Sequence, residues 1–135
     1  MLGWAASVAA GAVAALQSPL WLGRGRLVRL IGQPRPIDPI DLIGATHAAR
    51  AALAVRAAHV TLRWLSRAAF PVWRNTCLYR AVAECLVLPR YGIPCHLELG
   101  IANHDAPGKI TAHAWVVRAD DASTATSPPA LAVLR

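Results

Sequence analysis

Residues 76–89 carry the sequence TCLYRAVAECLVLP, in which a cysteine opens an apolar run that continues to a proline. The spacing of the apolar residues predicts a helix over Cys77–Leu88. Residues 111–117, with the sequence TAHAWVV, are rich in β-branched and aromatic residues and predict a strand that carries His113. A thiol at a helix N-terminus lies at the positive end of the helix dipole, which favours the thiolate. A histidine on a rigid strand can serve as its base, so the pair has the minimum needed for covalent acyl chemistry.

The segments around this pair predict a small antiparallel sheet next to the helix. Residues 71–76 (PVWRNT) break the preceding structure, and either Asn75 or Thr76 can cap the helix. The turn YGIP at 91–94 leads into an alternating strand over 95–102, and a loop connects it to a second strand over 110–118. A turn follows at 119–122, and the tail from residue 123 is only weakly patterned.

The first half of the chain predicts helices. One helix is expected over residues 3–16, and a new segment is expected to begin at Pro19. Residues 21–31 are expected to form a second, basic amphipathic turn. The proline-rich segment QPRPIDP at 33–39 is a break, and Asp41 is a plausible N-cap for a helix that reaches Leu65. Three arginines of that helix follow one another at steps of six and seven residues and so lie on roughly one face: Arg50, Arg56 and Arg63. We interpret this face as exposed to solvent.

These elements predict an α+β fold in which N-terminal helices precede a small antiparallel sheet packed on the helix that bears Cys77. The chain has 135 residues, enough for one structural domain. Within it we expect an N-terminal helical part over 1–70 and a catalytic core over 71–135.

Composition narrows the classes of function. The net charge is +7, and nearly all of the excess is arginine because Lys109 is the only lysine. Arginine suits carboxylates and phosphates, but no arginine-rich block alternates with aromatic residues, so nucleic-acid binding is not expected. The three cysteines have no paired spacing, which argues against a disulfide framework and favours a reducing cytoplasm. No zinc-binding motif is present, so neither a metal nor another cofactor is expected.

The first segment, residues 1–22, contains no charged side chain and is barely long enough to span a bilayer. Pro19 interrupts it, alanine and glycine drive insertion poorly, and no basic residue precedes it as a secretory signal requires. We therefore favour a helix covered by the protein or a partner. Association with a membrane is the alternative.

Several side chains are candidates for a role in chemistry. Cys77 is the candidate nucleophile and His113 the candidate base, whereas Cys85 and Cys95 are explained as packing residues. Arg80, one turn after Cys77, could support the thiolate or bind a substrate carboxylate, or could be an ordinary surface arginine. An acid to orient the imidazole would have to come from Asp120 or Asp121, although turns are rich in aspartate for other reasons.

The motifs CLYRA at 77–81, YGIP at 91–94, LELGI at 97–101 and HAWV at 113–116 together resemble the lasso-peptide leader peptidases. These are the transglutaminase-like B proteins of lasso peptide biosynthesis, and this chain resembles a stand-alone protease domain of that family over about residues 73–118. The resemblance implies a papain/transglutaminase-like core in which Cys77 and His113 are catalytic and Arg80 and Trp115 bind the substrate or support the site. Asp121 (or Asp120) is the candidate for the third catalytic residue.

The resemblance also implies a cytoplasmic cysteine protease that removes the leader from a ribosomally made precursor peptide. Its expected partners are the precursor, a separate leader-binding (RRE-type) protein and an ATP-dependent lasso cyclase. Two positions depart from the family: Val117 stands where a glutamate is expected, and residues 123–127 contain no acid where the third catalytic residue is expected. The alternatives are a shifted Asp120 or Asp121, a Cys/His dyad, a non-catalytic scaffold that binds precursor and partners, or acyl transfer to an amine.

Overall fold

The computed structural model describes residues 2–23, 25–31, 45–68, 71–103, 110–118 and 131–134. Three helices precede a three-stranded antiparallel sheet, so the predicted α+β class is confirmed. The helices are α1 (Leu2–Gly23), α2 (Ala45–Arg67) and α3 (Cys77–Val87), and the strands are β1 (Cys95–Asn103), β2 (Ile110–Arg118) and β3 (Leu131–Leu134). Short 3₁₀ turns follow α1 and α3, at Arg26–Arg29 and Leu88–Tyr91.

The first helix does not stop before Pro19, so the prediction of a restart there is wrong. Helix α1 continues through Pro19 to Gly23. An interior proline has no N–H to donate and costs a helix about 3 kcal/mol. Packing offsets this cost, because Ala14, Ala15 and Ser18 on the inner side of α1 are completely buried. The Ser18 hydroxyl is also satisfied, since it donates to the carbonyl of Ala14 at 2.9 Å.

Helices α1 and α2 approach each other closely because small residues line their contact. An ideal Cβ built on Gly11 would collide with the carbonyl oxygen of Ala54 and lie 2.9 Å from the Ala57 Cβ. Ala15 belongs to the same buried cluster as Ala58. The two helices run in the same direction, since residues further along α1 meet residues further along α2. The predicted N-cap, Asp41, lies outside the described residues.

Helix α3 lies between this helix pair and the sheet. On one side, its Ala83 joins a cluster with α1 and α2, and on the other its Val82 packs with Leu97 of β1 and Ala114 of β2. The start of α3 at Cys77 is as predicted, and its end at Val87 is one residue short of the prediction. The helix that bears the candidate nucleophile is therefore the central element of the fold.

The sheet has the strand order β2–β1–β3. Strands β1 and β2 pair without interruption from Cys95 opposite Arg118 to Asn103 opposite Ile110, as the alternating patterns predicted. Strand β3 was missed, because its four residues lie in the weakly patterned tail. It pairs antiparallel with β1, placing Leu134 opposite Leu99. The long β1 thus becomes the central strand, and β2 is an edge strand.

Candidate active site

Cys77 is the first residue of α3, and its side chain is half-buried against the core cluster formed by α3 and the sheet. Thr76 precedes it in an extended conformation and makes no side-chain capping bond. The first backbone bond of the helix runs from the Arg80 N–H to the Thr76 carbonyl, at 3.1 Å. The N–H groups of Cys77, Leu78 and Tyr79 therefore have no acceptor within the helix. They form a positive end beside the thiol that suits a developing negative charge.

The loop before Cys77 is held to the helix by two side chains that reach back from its first turn. The Tyr79 hydroxyl donates to the Val72 carbonyl at 2.7 Å, and Arg80 Nε donates to Asn75 Oδ1 at 2.8 Å. The structure thus gives Arg80 a role in shaping the approach to Cys77. Sequence reasoning considered Asn75 only as a cap and gave Tyr79 no role. Spacings of five and seven residues across a loop fit no regular period that would reveal such contacts.

The strand that carries His113 packs against the helix that carries Cys77. Ala114 of β2 belongs to the same buried cluster as Ala81, one turn after Cys77. Two turns along α3, Cys85 lies beside Cys95, which is paired with Arg118 at the far end of β2. The C-terminal part of α3 therefore lies beside the Arg118 end of β2. Cys77, at the opposite end of α3, lies toward the half of β2 that contains His113.

The side chain of His113 is nevertheless on the other face of the sheet. Leu99 and Ala114 are directly opposite each other, and both pack toward α3. Successive side chains of a strand point to opposite faces, so the continuous pairing turns His113, opposite Gly100, away from α3. His113 is exposed, and in the part of the chain that the structure describes no hydrogen bond joins it to Cys77. The structure brings the two elements together without pairing the two side chains.

Trp115 shares the outer face of the sheet with His113, and this face also carries an acid. Trp115 is half-buried and lies directly opposite Glu98. His96 Nε2 is 3.3 Å from Glu98 Oε1, so that carboxylate already has a neighbour on its own strand. Glu98 lies diagonally across from His113, at a spacing that long side chains can bridge.

Asp120 and Asp121 lie outside the described residues, so their part in orienting His113 stays a prediction. Among the described residues, no group of three or more histidine, cysteine or acidic side chains could hold a metal ion.

The other two cysteines form a pair away from the start of α3. A hydrogen bond with Cys95, together with burial, raises the pKa of the Cys85 thiol far above its ordinary value. The same hydrogen bond lowers the pKa of Cys95, with a further contribution from the charge of Arg118. Cys85 is buried and Cys95 half-buried in the core between α3 and the sheet, in agreement with their interpretation as packing residues.

Residues 12–133 match the family model described as the transglutaminase-like superfamily, a superfamily of the cysteine-protease type. The match spans the second half of α1, all of α2, α3, β1 and β2, and all but the last residue of β3. No curated protein and no solved structure matches the chain.

Proposed function

Since this chain belongs to the transglutaminase-like superfamily, we propose that it is a cysteine peptidase that removes the leader from a ribosomally made lasso peptide precursor. The observation that carries the proposal is the position of Cys77, half-buried at the first residue of α3 and beside backbone N–H groups that have no helical acceptor. The peptide specificity comes from the resemblance of the motifs around Cys77 and His113 to lasso-peptide leader peptidases.

The proposed reaction proceeds in two steps. His113 takes the proton of the Cys77 thiol, and the sulfur attacks the scissile carbonyl of the leader. The N–H groups at the start of α3 stabilise the oxyanion of the tetrahedral intermediate. Its collapse breaks the C–N bond, His113 gives its proton to the leaving amine, and a thioester forms. Water then hydrolyses the thioester and returns the proton to Cys77, while Asp121 (or Asp120) orients the imidazole.

This mechanism requires His113 to reach the α3 side of the sheet. A β-bulge between His113 and Ala114 would transfer the His113 side chain to the other face while Ala114 stays packed against α3. Strand β2 can accommodate such a change more easily than β1 because it is an edge strand, paired on one side only. We propose that binding of the precursor, presented by a separate leader-binding (RRE-type) protein, brings His113 to Cys77.

The decisive experiment is mass spectrometry of a lasso-type precursor incubated with this protein, with and without the leader-binding partner. We expect release of a leader fragment, and we expect none with Cys77→Ala. Cys95→Ala is the matched control, because it removes another half-buried thiol outside the start of α3. Cleavage that persists in Cys77→Ala refutes the nucleophile assignment. A product that carries an added amine would instead identify acyl transfer.

The orientation of His113 favours one alternative, a transglutaminase-like scaffold that binds precursor and partner without cleaving. If the protein is such a scaffold, the wild type and Cys77→Ala should bind the precursor equally well, and neither should release a leader fragment. The rate of Cys77 alkylation separates the two functions. In a peptidase with its leader-binding partner present, His113→Ala should slow alkylation of Cys77, whereas in a scaffold the substitution should leave the rate unchanged.

The proposed activity places the protein in the cytoplasm beside two further components. The leader-binding protein would hold the precursor, and an ATP-dependent lasso cyclase would take the released core peptide. No cofactor is needed, because the nucleophile and the base are side chains of this chain.

A further inference from the structure

Helix α1 is apolar all the way round, yet the described helices and strands pack against only one of its sides. Its residues 3–23 have a mean hydropathy of 1.4, so by length and composition alone the helix could cross a membrane. An all-apolar helix in a soluble protein is normally buried on every side. Here the inner side packs on α2 and α3, while large outward side chains are about half exposed: Trp4, Val8, Leu16 and Leu20.

Helix α2 extends this apolar surface. Ala57 contacts α1 at Gly11, and Val60 and Trp64 follow Ala57 by three and seven residues, so all three lie on one side of α2. Val60 is 48% exposed and Trp64 is 67% exposed. The outward side chains of α1 together with Val60 and Trp64 form the two-helix face.

The third helix leaves this face open because it packs on the other side of the helix pair. On α2, His59 Nε2 lies 2.9 Å from Glu84 Oε1 of α3. On α1, Ala14 joins a buried cluster with Val87 of α3. His59 and Val60 are neighbours in sequence and about 100° apart around the helix, so Val60 turns away from α3.

The charged side chains of α1 and α2 themselves have one sign. Neither α1 nor α2 contains an aspartate or a glutamate. Three exposed arginines, Arg56, Arg63 and Arg67, follow one another at steps of seven and four along α2, next to the row of Val60 and Trp64. An apolar surface bordered by a row of arginines and lacking carboxylates is complementary to a layer with an apolar interior and anionic headgroups.

We propose that the two-helix face binds the surface of an anionic lipid bilayer. Leu16, Leu20 and Val60 would enter the boundary between headgroups and acyl chains, with Trp4 and Trp64 at the headgroup level that indole rings prefer. The arginine row would meet the lipid phosphates. Helix α1 would lie along the surface without crossing it, because crossing would strip its buried Ala14, Ala15 and Ser18 from α2 and α3. This proposal is independent of the proposed peptidase activity.

Vesicle flotation of the full chain tests the proposal. We compare vesicles of phosphatidylcholine alone with vesicles in which about a third of the lipid is phosphatidylglycerol, since anionic lipid should strengthen the attraction of the arginines. The protein should float with the anionic vesicles, bind the neutral ones at least tenfold more weakly, and be released by high salt because screening weakens exposed charge pairs.

Substitutions distinguish binding through the two-helix face from binding through any exposed apolar side chain. The double variant Leu16→Ser/Trp64→Ser should weaken vesicle binding by tenfold or more, because it removes two large apolar side chains from the contact. Arg56→Gln/Arg63→Gln should weaken binding to anionic vesicles only. Val28→Ser is the matched control, since Val28 is 72% exposed but lies in the 3₁₀ turn after α1. Circular dichroism verifies that each variant is folded.

Four outcomes would overturn the proposal. The first is binding to anionic vesicles that is no stronger than to neutral ones. The second is unchanged binding by Leu16→Ser/Trp64→Ser while Val28→Ser binds as wild type. The third is a concentration-dependent dimer that the double variant abolishes, with no vesicle binding, which would assign the face to a second copy of the chain. Protein that resists extraction with high salt and with alkaline carbonate would mean that α1 crosses the bilayer, which also contradicts surface binding.

Discussion

Gly11→Ala should destabilise this protein even though alanine is the better helix former. In an exposed helix the substitution gains about 1 kcal/mol. At Gly11, however, the new methyl group would collide with the Ala54 carbonyl and approach the Ala57 Cβ to 2.9 Å. Two carbon atoms in contact prefer about 3.5–4.0 Å, so α1 and α2 would have to separate by roughly 1 Å. A backbone carbonyl cannot swing aside as a flexible side chain can.

The magnitude follows from the two opposing terms. Forcing an extra methyl group into a packed contact typically costs about 1–3 kcal/mol. Because the obstructing atom is a backbone carbonyl oxygen, the cost here lies in the upper part of that range, at about 2–3 kcal/mol. Subtraction of the helix-propensity gain of about 1 kcal/mol leaves a net loss of unfolding free energy of about 1–2 kcal/mol. For a chain of 135 residues this lowers the Tm by about 5 °C. Urea denaturation and thermal melts followed by circular dichroism measure both quantities.

Gly23→Ala is the matched control, because no atom lies within 4 Å of a Cβ at Gly23. We expect that variant to be as stable as wild type or slightly more stable. If Gly11→Ala behaves in the same way, the close contact between α1 and α2 does not exist and the packing described for the helix pair is wrong.

Three further predictions concern α3 and the sheet. The Tyr79→Phe variant should lose about 0.5–1 kcal/mol of unfolding free energy in a urea melt, and trypsin should cut its loop before α3 faster than in wild type. Unchanged digestion would mean that the hydroxyl does not hold the loop. Iodoacetamide should alkylate Cys77 well before Cys85. The hydrogen bond with Cys95 and burial raise the pKa of the Cys85 thiol, and burial also shields that thiol from the reagent. Peptide mapping measures the order of alkylation, and equal rates for the two cysteines would contradict this prediction. The Leu97→Ala variant should lose about 2–5 kcal/mol of unfolding free energy in a urea melt, because Leu97 is completely buried between the sheet and α3. A loss below about 1 kcal/mol would show that the side chain is not part of the core.

Local sequence patterns were sufficient to predict the helices and strands whose formation depends on neighbouring residues. The start of α3 at Cys77 and the strands β1 and β2 were predicted to within one residue, because helical and alternating periods show directly in the residues concerned. The motifs around Cys77 and His113 also led to the transglutaminase-like superfamily, of which the chain is a member.

Long-range contacts decided what local patterns could not. Helix α1 passes through Pro19 because packing against the other helices outweighs a local signal to stop. Strand β3 forms because the edge of β1 offers partners to a short segment that has no pattern of its own. The face on which His113 lies depends on the pairing of every residue along β1 and β2.

The sequence by itself thus determined the helix that begins at Cys77, the strand that carries His113 and the family to which they belong. Only the tertiary structure decided that His113 faces away from Cys77, that Arg80 binds Asn75, and that a two-helix apolar face stays uncovered. The physical reason is the range of the interactions. Periodicity and capping act within a few residues of the chain, whereas the facing of a strand and the covering of a helix depend on segments that are distant in sequence.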